Sequence, residues 1–176
     1  WEGSSKNDQK YLSISHEYIL TALRDKAYLD GTEIRWTERK EGLKKIYEAF
    51  EKIRSKYPND FDKQQDEIKK WYKSLSNDDP AKKQKHYCAV ERRGLYFPDN
   101  ISKPEKGYFY DLVHPVTGKP CKKPKGGWRF IESTMAEQLA DDRIHFGPDE
   151  TTVPCRKSFL KETEYESPNS VVYLDN

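Results

Sequence analysis

The chain is short of paired cysteine, long apolar runs and catalytic signatures. Its cysteines, Cys88, Cys121 and Cys155, are odd in number and include no C-x-x-C pair. A disulfide framework is thereby disfavoured, and a reducing, cytoplasmic setting is expected. His114, Cys121, His145 and Cys155 match no usual zinc-ligand spacing, so no metal is expected. No stretch approaches the ~20 apolar residues of a membrane span, and there is no signal peptide, so no membrane partner is expected. There is no Gly-rich phosphate loop, no G-x-S-x-G elbow and no H-E-x-x-H. Asp141-Asp142 and Asp149-Glu150 read as solvated turn residues, and Asp99, Asp111 and Lys119 make no recognisable nuclease constellation. Methionine is nearly absent: the chain starts at Trp1, and its single methionine is Met135. A piece of a longer protein is the expectation from that start.

What is present is charge and aromatic surface. Of 176 residues, 35% are charged and only 34% hydrophobic, while 13% are aromatic, so the core is expected to lean on large rings. The net charge of +2 conceals an uneven distribution. Residues 81–129 carry 12 basic against 4 acidic side chains, and residues 130–176 carry 4 against 10. Concentrated positive charge is the electrostatic footprint of a polyanion partner.

The same basic span holds the most distinctive stretch, GYFYDLVHPVTGKPCKKPKGGWRFI, from Gly107 to Ile131. Proline fixes φ and glycine supplies φ > 0, so its middle is neither a helix nor a central strand. Tyr108, Phe109 and Tyr110 open it, Lys119, Lys122, Lys123 and Lys125 charge its loop, and Trp128-Arg129-Phe130 close it. Ammonium groups beside flat π-faces suit a nucleic acid. A solvated loop over an aromatic core accounts for the same residues.

Elsewhere the periodicity predicts an α+β chain: an N-terminal extended segment, a helical hairpin, then short mixed strands with long Pro/Gly loops. The expected segments are 1–35, 36–92 and 93–176. Leu12 and Ile14 alternate as in a strand. Leu43, Ile46, Tyr47, Phe50, Ile53 and Tyr57 recur at helical spacing, with Thr37 as expected N-cap and Pro58 as stop. A second helix runs from Lys63 to Leu75 with Asp62 as cap, and a third from Asp79-Pro80 to about Val90. Thr134 with Glu137 makes a capping box for a helix through Asp142, and Val171–Leu174 reads as a last strand.

The order S-I-S-H-E-Y-I-L, R-G-L-Y-F-P-D-N, H-P-V-T-G-K-P-C-K-K-P-K-G-G-W-R-F, R-I-H-F-G-P-D-E and V-P-C-R-K-S-F-L resembles the central region of site-specific DNA methyltransferases. It is most similar to the modification subunits of type III restriction systems, which methylate adenine N6. The block from Pro115 to Trp128 is the most specific part. In that family a D-P-P-Y tetrad precedes this region and an F-x-G-x-G loop for S-adenosylmethionine follows it. Neither string occurs here, and Asp79-Pro80 is followed by Ala81. The resemblance therefore implies a target-recognition segment without catalytic residues or cofactor of its own. S-adenosylmethionine is expected for the intact enzyme only. The implied partners are double-stranded DNA, the remainder of the methyltransferase chain and a restriction subunit.

Under that resemblance Lys119, Lys122, Lys123 and Lys125 are expected at phosphates. Arg92, Arg93 and Arg129 are candidates for base edges, because a guanidinium pairs two acceptors of guanine. Thr117, Tyr96 and Trp128 complete the candidate DNA-binding set, with Tyr96 and Trp128 stacking or bracing the loop; Trp128 is equally readable as a core anchor behind two glycines. An independent nucleic-acid or protein-interaction module and a small metal-dependent nuclease are the alternatives.

Overall fold

In the computed structural model the described residues are 24–32 and 36–168. The expected strands around Leu12 and at Val171–Leu174 lie outside them. Two compact units are formed, one by 24–32, 36–39 and 165–168 and the other by 40–164. The first holds a short helix, α1 (Lys26–Gly31), capped by Asp25, and a two-residue antiparallel pair of β1 (Glu38–Arg39) with β6 (Tyr165–Glu166). That pairing explains why the first long helix does not begin at Thr37. Glu38 and Arg39 are drawn into a ladder with residues far along the chain, and the helix is delayed.

The larger unit opens with that helical hairpin, α2 (Leu43–Lys56) and α3 (Phe61–Ser74). Leu43, Ile46 and Phe50 on α2 and Ile68 and Tyr72 on α3 lie at helical spacing and are buried together. Gly42 caps α2 in the left-handed region, and Asp60, not Asp62, caps α3 by accepting the Lys63 N–H at 3.0 Å. The third expected helix is only a 3-10 turn, Pro80–Gln84, begun by Asp79 as anticipated. Beyond it the chain extends, because Tyr87 and Val90 must reach the core of the hairpin while Ala89 pairs Tyr96.

Strands β2 (Ala89–Glu91) and β3 (Gly94–Asp99) form a hairpin around Arg92-Arg93, and β5 (Cys155–Phe159) and β4 (Ile144–His145) extend it into an antiparallel sheet ordered β2-β3-β5-β4. Tyr96 pairs Phe159 and Ile144 pairs Arg156. Helix α4 (Glu132–Ala140) starts two residues before the expected Thr134 cap. The class is α+β, as the periodicity indicated. A second core joins Ile101, Leu112, Trp128, Met135 and Ile144. It lies beneath the long irregular excursion from Asn100 to Ile131, between β3 and α4.

Candidate nucleic-acid interface

The H-P-V-T-G-K turn is built around a buried imidazole. His114 is 2% exposed; its Nε2 donates to the Gly147 carbonyl at 3.0 Å, and its Nδ1 accepts the N–H groups of Val116 and Thr117, each at 3.3 Å. The backbone closes the turn, with Gly118 N–H on the His114 carbonyl and His114 N–H on the Lys119 carbonyl, both at 2.9 Å. Glu150 clamps it from the segment before β5. Its carboxylate pairs with Lys119 at 3.1 Å, and its carbonyl accepts the Lys122 N–H at 2.7 Å. Its own backbone N–H, then Lys119, then the Thr117 hydroxyl hold the Glu150 carboxyl down at about 2. So fixed, the turn presents Val116, which is 84% exposed, to solvent.

A second device shapes the G-G-W-R-F limb. Gly126 and Gly127 press against Lys103–Tyr108 backbone to backbone, with Lys103 N–H on the Gly127 carbonyl at 2.9 Å and Gly107 N–H on the Gly126 carbonyl at 2.8 Å. Tyr108 and Trp128 exchange both of their backbone bonds, at 2.9 and 2.7 Å, and Arg129 N–H reaches the Ile101 carbonyl. This ladder brings the limb that carries Lys103 and Lys106 beside the limb that carries Lys125 and Arg129, 19 to 26 positions further along the chain.

The candidate residues sort differently once placed. Trp128 is fully buried, and its Nε1 donates to the Tyr110 carbonyl at 3.1 Å; it anchors the core and offers no face to a base. Tyr96 is 5% exposed, packs on Phe159 and contacts His145 Nδ1 through its hydroxyl at 3.0 Å. Burial pushes the Tyr96 hydroxyl up to about 12 and His145 down, so burial favours the neutral form of both partners. Both are core residues with no free stacking face: Trp128 packs beneath the loop with Ile101, Leu112, Met135 and Ile144, and Tyr96 packs in the sheet with Ala89 and Phe159. Arg93 is also occupied, bridging Asp141 by its carbonyl and carboxylate and lying 5.6 Å from the Phe159 ring centre. Lys119 is held by Glu150, and Lys123 pairs with Asp111 at 2.8 Å.

Arg92, Lys122, Lys125 and Arg129 are exposed and make no salt bridge with any described residue. Thr117 is exposed at the turn but shares its hydroxyl with the Glu150 clamp and the Lys119 N–H. The structure adds residues that the charge count did not single out. Lys103 sits 5.7 Å from the Tyr108 ring centre, Lys106 is exposed with φ 56°, and Tyr108 and Phe109 are 45% and 64% exposed. The S-K-P-E-K-G spelling was the available signal, and it reads as an ordinary turn until the Gly107–Gly126 contact is known. Tyr110, by contrast, is half-buried, and its hydroxyl donates to the Phe130 carbonyl at 2.9 Å.

The described residues hold no cluster of three or more His, Cys, Asp or Glu side chains able to bind a metal, and the cysteines are free. No helix among them is long and apolar enough to cross a membrane. Two clefts open on the larger unit, one lined by Glu91, Arg92, Arg93 and Asp142 and the other by Lys69, Tyr72, Lys73, Lys82 and Lys85.

No protein-family model matches the chain. A curated relative, the Type III restriction-modification enzyme EcoP15I Mod subunit of Escherichia coli, is 28% identical over 179 residues. The match takes in 99% of this chain, which spans 26% of the length of that relative. Over nearly its whole length, then, the chain is similar to one part of a type III Mod subunit, the family that its H-P-V-T-G-K and G-G-W-R-F segments resemble.

Proposed function

We propose that this chain is a DNA target-recognition region of a site-specific adenine-N6 DNA methyltransferase in a type III restriction–modification system. In this reading 36–92 form a helical insert and 93–176 the segment that reads DNA. The observation that carries it is the loop platform, where Lys103, Lys106, Lys122, Lys125 and Arg129 and the open rings of Tyr108 and Phe109 are displayed on a buried Trp128 floor. The similarity to the Mod subunit supports the same reading. The lysines contact phosphates and set register, Arg129 and Arg92 address base edges, and the two rings brace sugar or base faces. S-adenosylmethionine, methyl transfer and a restriction subunit belong to the longer enzyme, since this chain holds neither D-P-P-Y nor F-x-G-x-G.

The test is duplex binding across a salt series. Lys122→Gln with Lys125→Gln should weaken all sequences alike and flatten the log–log salt slope by up to about two units, roughly one for each phosphate no longer neutralised. Arg129→Ala, placed in the longer enzyme, should cost about 1–3 kcal/mol on the cognate site and relax preference at one position. An unchanged slope together with an unchanged preference would remove the platform from the DNA face.

A further inference from the structure

A different part of the larger unit concentrates positive charge without an assigned role. Between the second half of α3 and the Pro80–Gln84 turn lies a cleft of about 390 Å³, lined by Lys69, Tyr72, Lys73, Lys82 and Lys85. Four of the five lining side chains end in ammonium groups and none is acidic. Lys69 and Lys73 stand one helical turn apart, an arrangement in which like charges repel.

Four lysines of the same hairpin and turn are answered by carboxylates: Lys45 by Asp79, Lys63 by Asp60, Lys70 by Glu67 and Lys83 by Glu41. Lys69, Lys73 and Lys85 make no salt bridge with any described residue. Lys82 is held in place by the Leu75 carbonyl at 2.7 Å and Asn77 Oδ1 at 3.0 Å, acceptors that fix the ammonium without neutralising it. Asp79, whose carboxyl is lowered chiefly by Lys45 and to a lesser degree by Lys82, is committed to Lys45.

Tyr72 is the buried member of the lining, 3% exposed. Its hydroxyl is the one buried side-chain polar atom among the described residues with no hydrogen-bond partner. That hydroxyl is enclosed in the hairpin core with Tyr47, Tyr87 and Cys88, so Tyr72 floors the cleft and the ammonium groups form its rim. Phosphate supplies acceptor oxygens and up to two negative charges, and matches a cleft lined by cations with no carboxylate among them.

We propose that this cleft is a phosphate-binding site on the helical hairpin. It is built from residues that the 101–129 platform does not use and does not depend on the target-recognition reading. The phosphate belongs either to a nucleic-acid backbone or to a small free anion, and the two sources are separable.

Inorganic pyrophosphate and a random-sequence duplex would each be titrated into the whole chain. Amide shifts would be followed in the wild type, in Lys69→Gln with Lys73→Gln, and in Lys85→Gln. All three positions lie at the surface or are half-buried, and circular dichroism checks that the variants keep the wild-type fold. Pyrophosphate should shift amides around 69–73 and 82–85, and the double variant should bind it at least tenfold more weakly. If the source is a nucleic-acid backbone, the double variant should also flatten the duplex salt slope by up to about two units. An abolished pyrophosphate response with an unchanged duplex slope supports the site and assigns it to a free anion. A wild-type chain that binds pyrophosphate here but no duplex at all defeats the target-recognition reading and leaves this site standing. No localised pyrophosphate shift in the wild type, or full retention of binding in folded variants, overturns the proposal.

Discussion

Gly126→Ala tests how the cationic platform is assembled. A Cβ at Gly126 would lie 2.1 Å from the Lys103 carbonyl oxygen and 2.4 Å from both the carbon and the oxygen of the Pro104 carbonyl. Those separations are more than an ångström inside the roughly 3.5–4.0 Å optimum for carbon contacts. The colliding atoms are backbone, so no rotamer change relieves them and the two limbs must part. Parting them strains or breaks the Lys103–Gly127 and Gly107–Gly126 hydrogen bonds. Two such bonds contribute about 0.5–1.5 kcal/mol each, and overpacking adds about 1–3 kcal/mol, so a destabilisation of roughly 2–6 kcal/mol is expected.

Gly118→Ala is the control. Its φ of 69° strains any L-residue, but the added methyl meets open space, so the cost should be about 1–2 kcal/mol. Urea unfolding of both variants measures the difference, and hydrogen exchange at the Lys103 and Gly107 amides locates it. If Gly126→Ala is no more destabilising than Gly118→Ala, and those amides remain protected, the close approach does not hold the platform together.

Trp128→Ala should cost about 3–5 kcal/mol in urea unfolding, and Trp128→Phe less; a shift in base preference with no change in stability would return Trp128 to a stacking role. Glu150 has a carboxyl depressed to about 2, so the stability it confers is complete above the ordinary glutamate value near 4.5 and disappears as pH falls toward 2. The wild-type urea midpoint should therefore drop more steeply between those pH values than that of Glu150→Gln; parallel curves would refute the clamp. His114→Ala should destabilise by about 1–3 kcal/mol and speed exchange at the Val116 and Thr117 amides selectively. Uniform exchange across the chain would show that the imidazole does not order the turn.

Helical spacing in 43–75 was enough to foretell the hairpin, because its apolar positions repeat every turn and its connection is short. Composition marked 81–129 as the basic span, and proline and glycine ruled out a helix or a central strand in the middle of 107–131. These are local properties, carried by neighbours in sequence. The start of α2 and the fate of 85–91 were not local: β1 is claimed by a strand more than a hundred residues away, and Ala89–Glu91 by the sheet.

The candidate interface divides along the same line. That lysines crowd 119–125 is written in the sequence, but which of them keep an uncommitted charge depends on Glu150, which arrives from the segment before β5, and on Asp111, which the folded loop brings to Lys123. Sequence could not choose between Trp128 as platform and Trp128 as floor, since an indole serves either role until its surroundings exist. The addition of Lys103 and Lys106 to the platform was decided by three glycines whose missing side chains let two backbones touch. Sequence determines which groups the chain carries, and tertiary contact decides which remain available, because charge and ring faces are consumed by whatever packs against them.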